Sequence, residues 1–261
     1  MSIGNETRLA ASAALRPWIA EVSVLTGVDD QQPLVHLPDA ATTLVFRITA
    51  DHRSDLIVLG PRTHASYHTG KLLPFCIRLR INPGRARPLL GLSVSELVDR
   101  VVPLGALWGE PGDRLARELV DLGRDPGLVL KHLETTLLGR LAGQAPSDLS
   151  RSDLLHSAIQ AMSARGKSQP DRLRAIAGQL SISERHLRNL FASEVGLSPK
   201  RFARIGRVRG VLASAGRRQW AQLASDTGYY DQAHMITEFR AMMGVPPGAF
   251  VAGRLPAVHP C

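Results

Sequence analysis

Three side chains in the C-terminal third of the chain carry the polar groups that pair with the edges of nucleobases. They are Arg185, Arg188 and Asn189, and they fall within one short segment. Arginine can donate two hydrogen bonds to guanine, and asparagine can bond both polar atoms of adenine, in the major groove of double-stranded DNA. This chemistry requires an element that presents all three side chains on one free face, so the surrounding sequence has to supply such an element.

Apolar residues around this set predict two short helices. They recur at the spacing of one buried helical face, first as Leu173, Ile176, Ala177 and Leu180 and then as Leu187, Leu190 and Phe191. Between them, Ser181, Ile182 and Ser183 interrupt the pattern, and Ser181 with Glu184 fits a capping box. Two short helices joined by a three-residue turn describe a helix-turn-helix. The alternative is a pair of bundle helices whose arginines are solvated.

The same organisation occurs again 48 residues later. The first copy and the second copy share four positions, Phe191, Gly196, Pro199 and Phe202 against Phe239, Gly244, Pro247 and Phe250. An internal repeat predicts two similar structural units. The second copy turns at Gly228, and its apolar positions again follow helical spacing: Trp220, Leu223, Ala224, Met235, Phe239 and Met242. Its outward positions would be Gln232, His234 and Thr237.

Between the two copies, residues 198–214 predict a long connecting helix. Ser198 is its expected cap and Pro199 its first helical residue. Around an apolar stripe, the remaining surface is crowded with basic side chains: Lys200, Arg201, Arg204, Arg207 and Arg209. A rigid connection of this kind would hold two recognition helices about 34 Å apart, the distance between successive major grooves.

The net charge of +9 lies almost entirely on this repeated part of the chain. Residues 166–261 contain 14 lysines and arginines against 6 acidic residues, a balance of +8, whereas residues 1–165 contain 18 against 17. Clustered positive charge indicates a nucleic-acid partner, because the phosphate backbone is a dense line of negative charge. The alternative, a basic surface that serves solubility, would spread the charge along the chain.

The first part of the chain shows strand patterns followed by helix patterns, which predicts an α+β or barrel-plus-helices domain. The best strand alternates Ile77, Leu79 and Ile81 with Arg78 and Arg80, and two others surround Leu44–Ile48 and Ile57. The two arginines either line a pocket for an anion or are exposed strand arginines. Helices are expected in three places, from Ser93 to Val101, from Pro126 to Leu141 and from about Asp153 to Ala164.

No catalytic motif is present. Two cysteines, Cys76 and Cys261, provide neither a disulfide framework nor zinc-ligand spacing, and the sequence contains no phosphate loop and no Gly-x-Ser-x-Gly. His64 and His68 are four residues apart, but the bracketing proline and glycine favour a loop or strand over the helix that a metal pair needs. We expect no enzymatic activity, no metal and no cofactor. Without a signal peptide or a membrane-spanning run, we expect a soluble, cytoplasmic protein.

These motifs resemble the AraC/XylS family of bacterial transcription regulators over about residues 153–254. The matching stretches are IAGQLSISERHLRNLF, the connecting helix with Arg207, LASDTGYYDQAHMITEFR and the closing Gly244-Val245-Pro246-Pro247. The resemblance implies base contacts in both units, by Arg185, Arg188 and Asn189 in the first and by Gln232, His234 and Thr237 in the second. The second unit departs from the family pattern at Tyr229, Tyr230 and Ala233, so it either reads bases or mainly grips phosphates.

The N-terminal part resembles the sensor-type domain that precedes some of these regulators. The matching stretches are LPDAATTLVFRI, LGPRTHA and IRLRINPGRARPLLGLSVSELVDRVVPLGALWG. This resemblance implies a cupin-like β-barrel with trailing helices that binds a small-molecule effector of unknown identity and forms a homodimer. The positions of the DNA-binding part that the repeat and the resemblance mark as structural are Ala177, Leu187, Phe191, Gly196, Arg207, Ala224, Gly228, Phe239, Gly244 and Pro247.

The sequence thus predicts an α+β protein in two parts. An N-terminal, β-rich domain (residues 1–145) is followed by a linker (146–152) and an all-α DNA-binding domain (153–255). The expected function is an effector-responsive transcription regulator that binds specific double-stranded DNA, with RNA polymerase as a further partner. Candidate phosphate contacts are Lys200, Arg201, Arg204, Arg218 and Arg240. Two alternatives stay open: a DNA-architectural protein with weak sequence preference, and a small-molecule-binding or enzymatic N-terminal module with an accessory DNA-binding domain.

Overall fold

The computed structural model of the chain describes residues 5–28, 33–51, 53–70, 72–163, 169–216 and 218–259. Its strands are β1 (Asn5–Leu9), β2 (Ile19–Val28), β3 (Leu34–His36), β4 (Thr43–Ile48), β5 (Ser54–Leu59), β6 (Ser66–His68), β7 (Leu73–Ile81) and β8 (Val101–Pro103). Its α-helices are α1 (Ala86–Leu90), α2 (Leu104–Trp108), α3 (Glu110–Asp121), α4 (Pro126–Ala142), α5 (Pro146–Ser163), α6 (Gln169–Gln179), α7 (Glu184–Glu194), α8 (Pro199–Ser214), α9 (Trp220–Asp226), α10 (Gln232–Met243) and α11 (Pro247–Val251). The predicted α+β architecture is confirmed. The helix end expected at Ala164 and the terminal Cys261 lie outside the described residues.

Six strands form one antiparallel sheet in the order β1-β2-β7-β4-β5-β8, and β3 pairs with β6 in a second, two-stranded sheet. In the described residues, the expected barrel takes the form of these two sheets. The central strand β7 shows the predicted alternation, because Ile77, Leu79 and Ile81 are buried in the N-terminal core and the arginines between them point to the other face. The long strand β2 was not predicted, because Val22 to Leu25 are all buried and the strand therefore lacks a clear alternation of apolar and polar residues.

The helix predicted from Ser93 to Val101 is wrong. Only Val94–Leu97 is helical, as a single 3-10 turn, and Asp99 follows it with a positive φ of 57°. The Asp99 carboxylate accepts hydrogen bonds from the backbone N–H and from the hydroxyl of Thr63, at 2.7 and 2.6 Å. These tertiary hydrogen bonds hold the chain in a turn and therefore override the local helical pattern.

The helix predicted from Pro126 to Leu141 is confirmed as α4, but the linker predicted at residues 146–152 is helical. α5 begins at Pro146 and continues through this segment. Proline is favoured in the first turn of a helix, so the residue that suggested a linker instead starts the helix. Within the segment, the buried Ser152 donates a hydrogen bond to the carbonyl oxygen of Gly84 (2.9 Å).

Two main hydrophobic cores are present in the described residues. The first joins the six-stranded sheet to helices α1 to α4, and Phe46 and Phe75 are among its fully buried side chains. The second joins α5 to α10 around Phe191 and Phe239, and it also takes in Ala40 of the N-terminal part. The two parts of the chain are therefore packed against each other. The domain boundaries at 145 and 153 remain a prediction.

Candidate nucleic-acid interface

The turn between α6 and α7 has a defined backbone geometry. Ser181 has a positive φ of 54°, and the N–H of Ile182 donates to the carbonyl oxygen of Ala177 (2.9 Å). Ser183 caps α7, because its hydroxyl accepts a hydrogen bond from the N–H of His186 (3.1 Å). The capping box predicted for Ser181 is therefore wrong, since a left-handed residue ends the preceding helix rather than starting the next one.

α7 separates an apolar face from a polar one. It buries Leu187, Leu190 and Phe191 and exposes the predicted base-reading set, Arg185, Arg188 and Asn189. The exposed side chains line a shallow surface pocket together with Glu184. Glu184 forms an ion pair with Arg188 one turn later (3.0 Å) and a second one with Arg174 of α6 (3.3 Å). One free face thus presents all three groups that suit base recognition.

The second unit repeats this arrangement. α9 leads into Gly228, which has a φ of 80°, and the N–H of Tyr229 donates to the carbonyl oxygen of Ala224 (2.9 Å). Asp231 caps α10, because its carboxylate accepts a hydrogen bond from the N–H of His234 (2.7 Å). The capping residues of α7 and α10 are 48 residues apart, which is the offset of the sequence repeat.

α10 exposes a different set of polar groups. Its exposed residues include Gln232, His234 and Thr237, and its buried apolar residues are Met235, Phe239, Met242 and Met243. The imidazole of His234 meets the ring of Tyr229 edge-on, with 5.3 Å between the ring centroids. The second unit therefore offers an amide, an imidazole and a hydroxyl group where the first offers two guanidinium groups and an amide.

The repeated Phe–Gly–Pro–Phe pattern builds the same corner twice. In both copies two phenylalanines pack edge to face, Phe191 with Phe202 at 5.6 Å between ring centroids and Phe239 with Phe250 at 6.1 Å. Gly196 and Gly244 both have a positive φ, 76° and 74°, which glycine adopts without Cβ strain. The prolines of the pattern begin the next helices, α8 and α11.

A buried carboxylate ties the connecting helix α8 to the second unit. Glu238 of α10 accepts hydrogen bonds from Arg207, at 2.8 and 2.9 Å, and from Arg204, at 2.8 Å. The guanidinium of Arg207 also lies 5.0 Å from the centre of the Tyr229 ring. Burial, reinforced by the negative charge of Glu238, raises the pKa of the Tyr229 hydroxyl. Ion pairs therefore hold α8 and α10 together in addition to apolar packing.

The sequence predicts Arg204 as a phosphate contact. In the structure its Nε donates to Glu238 (2.8 Å), while 35% of its side-chain surface stays exposed. Arg204 thus helps Arg207 to join α8 to α10, and its role as a phosphate contact stays a prediction. The other four candidate phosphate contacts are exposed, namely Lys200, Arg201, Arg218 and Arg240. Arg218 also forms an ion pair with Asp226 of α9. Glu238 itself was missed by the sequence reasoning, although an acid in the buried stripe of Met235 and Phe239 signals a paired charge.

The two arginines of β7 have carboxylate partners. Arg80 donates two hydrogen bonds to the buried Asp39, at 2.8 and 2.7 Å. Arg78 donates to Glu6 (2.6 Å) and to the hydroxyl of Ser23 (3.1 Å). Both arginines are thus already paired with carboxylates, which does not support the anion-pocket alternative. Arg78 keeps 37% of its side-chain surface exposed, which fits the alternative of exposed strand arginines.

His64 and His68 have separate neighbours. Nδ1 of His64 is 3.0 Å from the hydroxyl of Thr63, and the ring of His68 meets that of His36 edge-on at 5.5 Å. The pKa of His36 falls to about 4, because burial and then the positive charge of Arg62 disfavour its protonation. In the part of the chain that the structure describes, no group of three or more His, Cys, Asp or Glu residues could hold a metal ion, and no helix has the length and apolarity to cross a membrane.

Two family models match the chain. The one described as "Helix-turn-helix domain" covers residues 176–253, and the one described as "Domain of unknown function (DUF6597)" covers residues 7–103. No curated protein matches the sequence.

Several solved structures are similar to the chain. A transcriptional regulator from Chromobacterium violaceum with an AraC-type DNA-binding domain is 20% identical over 41% of this chain and 96% of its own, with a TM-score of 0.35. ToxT from Vibrio cholerae is 12% identical over 90% of this chain and 98% of its own, with a TM-score of 0.41. The C-terminal domain of AraT, a response regulator from Geobacillus stearothermophilus, is 20% identical over 41% of this chain and 87% of its own, with a TM-score of 0.33. These TM-scores are below 0.5, so the assignment rests on the family models.

The C-terminal part is thus a helix-turn-helix DNA-binding domain, and the protein is a DNA-binding transcription regulator. More particularly, residues 176–253 form an AraC-type helix-turn-helix domain. The class of protein predicted from the sequence is therefore confirmed.

Proposed function

We propose that this regulator recognises a specific DNA sequence with α7 and α10 as its two recognition helices. The observation that supports this most directly is that both helices expose polar faces beside capped N-termini. In this proposal Arg185, Arg188 and Asn189 read bases from the first unit, and Gln232, His234 and Thr237 read bases from the second. The exposed ion pair between Arg188 and Glu184 is worth about 0.3–0.5 kcal/mol, so exchanging it for a base costs little.

Phosphate contacts would fix the register of the protein on the duplex without reading sequence. We assign this role to the four exposed basic residues Lys200, Arg201, Arg218 and Arg240. The capped N-termini of α7 and α10 add backbone N–H groups that favour a nearby phosphate. This arrangement explains why the excess positive charge is concentrated on the C-terminal part of the chain.

The N-terminal domain is the proposed effector sensor. It is packed against the DNA-binding domain, with Ala40 inside the C-terminal core, so a ligand that rearranged it would also act on the DNA-binding domain. In this proposal the protein acts in the cytoplasm, without an enzymatic activity of its own. RNA polymerase and a second copy of the chain are its proposed protein partners.

Sequence-specific binding is tested by selecting duplexes from a random-sequence library with the full chain. We expect the selected duplex to bind at least about 10³-fold more tightly than a scrambled duplex of the same composition. Affinity should fall steeply with salt, with a slope of log K against log salt of about −3.6 or steeper for four neutralised phosphates. Equal affinity for selected and scrambled duplexes would instead identify an architectural protein and contradict this proposal.

Replacing Arg188 by alanine should cost about 1–3 kcal/mol on the selected duplex and relax the preference at one base position. The physical reason is the loss of two hydrogen bonds to one base. Arg201→Ala is the matched control, since it should weaken binding to all duplexes alike and reduce the salt slope by about 1. Binding measurements on a set of single-base variants check this. If Arg188→Ala weakened every duplex equally, Arg188 would be a phosphate contact.

A further inference from the structure

The recognition helix of the second unit ends against the N-terminal domain. The carbonyl oxygen of Met242 accepts a hydrogen bond from the N–H of Ala65 (2.7 Å), and that of Met243 accepts one from the hydroxyl of Tyr67 (2.6 Å). The last carbonyl groups of a helix have no partner within the helix. The N-terminal domain therefore completes the C-terminal end of α10. Tyr67 is buried and belongs to β6, so its position is fixed by the sheet.

The recognition helix of the first unit ends in the same way on another part of that domain. The carbonyl oxygen of Ser193 accepts a hydrogen bond from the hydroxyl of Ser93 (3.2 Å), and the Glu194 carboxylate accepts one from Arg87 of α1 (2.9 Å). Glu194 is only 1% exposed, and its burial raises the pKa of the carboxyl even though Arg87 opposes the shift. A buried carboxylate requires a partner, so Arg87 is bound to the end of α7.

The connecting segments are held by the N-terminal domain as well. A Cβ added to Gly196, in the corner after α7, would lie 2.7 Å from the carbonyl oxygen of Val94, which leaves no room for a side chain. Arg209 of α8 pairs with Asp39 (3.1 Å), which is also bound by Arg80. Burial alone would raise the pKa of Asp39, but the hydrogen bond and charge of Arg80, with the charge of Arg209, hold it below its usual value.

All of these contacts leave the DNA-reading faces free. The side chains proposed to read bases lie in the N-terminal halves of α7 and α10, and every one of them is exposed in the full chain: Arg185, Arg188, Asn189, Gln232, His234 and Thr237. The N-terminal domain contacts the opposite ends of the two helices. Its contacts therefore affect the positions of the two helices and do not block their polar faces.

We propose that the N-terminal domain sets the distance and angle between the two recognition helices, with Tyr67 and Arg87 as positioning residues. This inference rests on the proposed function, DNA reading by α7 and α10. The helix α8 connects the two units covalently and a shared core packs them together, and the N-terminal domain adds contacts at the far ends of both recognition helices. A duplex presents its two half-elements at a fixed separation. A braced pair of helices therefore discriminates against a duplex in which that separation is changed.

The experiment compares three duplexes with the full chain. They are the duplex selected from a random library, the same duplex with one base pair inserted between its two half-elements, and a duplex with one half-element. The quantity to compare is the ratio of the affinity for the selected duplex to the affinity for the duplex with the insertion. For the wild type we expect this ratio to be about ten or more. Tyr67→Phe and Arg87→Gln should each reduce this ratio about two- to tenfold, the range of one net hydrogen bond. Both variants should bind the single half-element as the wild type does.

Two controls separate positioning from general effects on the fold. Arg117→Gln removes an exposed arginine of α3 that pairs with the exposed Glu110, and it should leave the ratio unchanged. Arg87→Lys keeps a positive charge beside Glu194 and should retain most of the ratio. A reduced ratio in either test variant supports the proposal.

Three results would overturn it: unchanged ratios in both Tyr67→Phe and Arg87→Gln, an equal loss on all three duplexes, or a wild type that is indifferent to the inserted base pair. Failure of the proposed function looks different. In that case the wild type would bind selected and scrambled duplexes equally.

Discussion

Replacing Glu238 by leucine is expected to lower the free energy of unfolding by about 2–4 kcal/mol. Removing one partner of a buried ion pair leaves the other charge uncompensated, which costs about 3–5 kcal/mol when both groups are fully buried. Arg207 keeps 19% of its side-chain surface exposed, so some water reaches it and the loss is smaller. Urea denaturation of the full chain measures the change. Binding to the selected duplex should weaken as well, because α8 then no longer holds α10 through this carboxylate.

The matched control is Glu238→Gln, which keeps the size of the side chain and an acceptor for Arg207 but removes the charge. It should lose less stability than the leucine variant. Adding Arg207→Met to Glu238→Leu should recover part of the loss, because the uncompensated cation is then gone as well. A leucine variant as stable as the wild type would show that Arg204 and Arg207 reach solvent and do not need this partner.

Replacing Phe191 or Phe239 by alanine should cost about 3–5 kcal/mol each, and the two losses should be similar. Both rings are fully buried, and each packs edge to face on the phenylalanine of the next helix. Removing such a side chain loses its transfer free energy and leaves a cavity. A loss of this size is a large fraction of the stability of an ordinary domain. Chemical denaturation of the two variants, side by side, measures it.

Conservative and exposed substitutions provide the comparison. Phe191→Leu and Phe239→Leu keep most of the buried volume and should cost much less than the alanine variants. Tyr230→Ala should change stability by no more than about 0.5 kcal/mol, because Tyr230 is 94% exposed. A large difference between Phe191→Ala and Phe239→Ala would mean that the two corners, although alike in geometry, do not support their helices equally.

The DNA-binding half follows closely from its sequence. Helical spacing located α7 and α10, and the offset of 48 residues predicted two units that prove to share their caps, corners and aromatic pairs. Such features depend on residues that are close in the sequence, and even the paired phenylalanines are only 11 residues apart. They therefore appear as regular spacings in the sequence. The exception is the cap of α7, where two serines were available and only the backbone conformation distinguishes Ser181 from Ser183.

The sequence was misleading or incomplete where distant residues determine the local structure. The segment after Ser93 has a helical pattern, yet the hydrogen bonds of Asp99 to Thr63 hold it in a turn. Arg204 lies among exposed basic residues in sequence, yet a carboxylate 34 residues away binds it. A paired charge and a solvated charge look alike in a sequence, because the partner comes from another helix whose position depends on the packing of the whole core.

By itself, the sequence determined that this protein has two helix-turn-helix units, that each turns a polar face outward, and that the positive charge lies with them. Only the tertiary structure decided what lies at the other ends of those helices. Tyr67 reaches Met243 across 176 residues and Arg87 reaches Glu194 across 107. The physical reason is that helix periodicity is a local property, whereas the partner of a helix end or of a buried charge depends on how separate parts of the chain pack together.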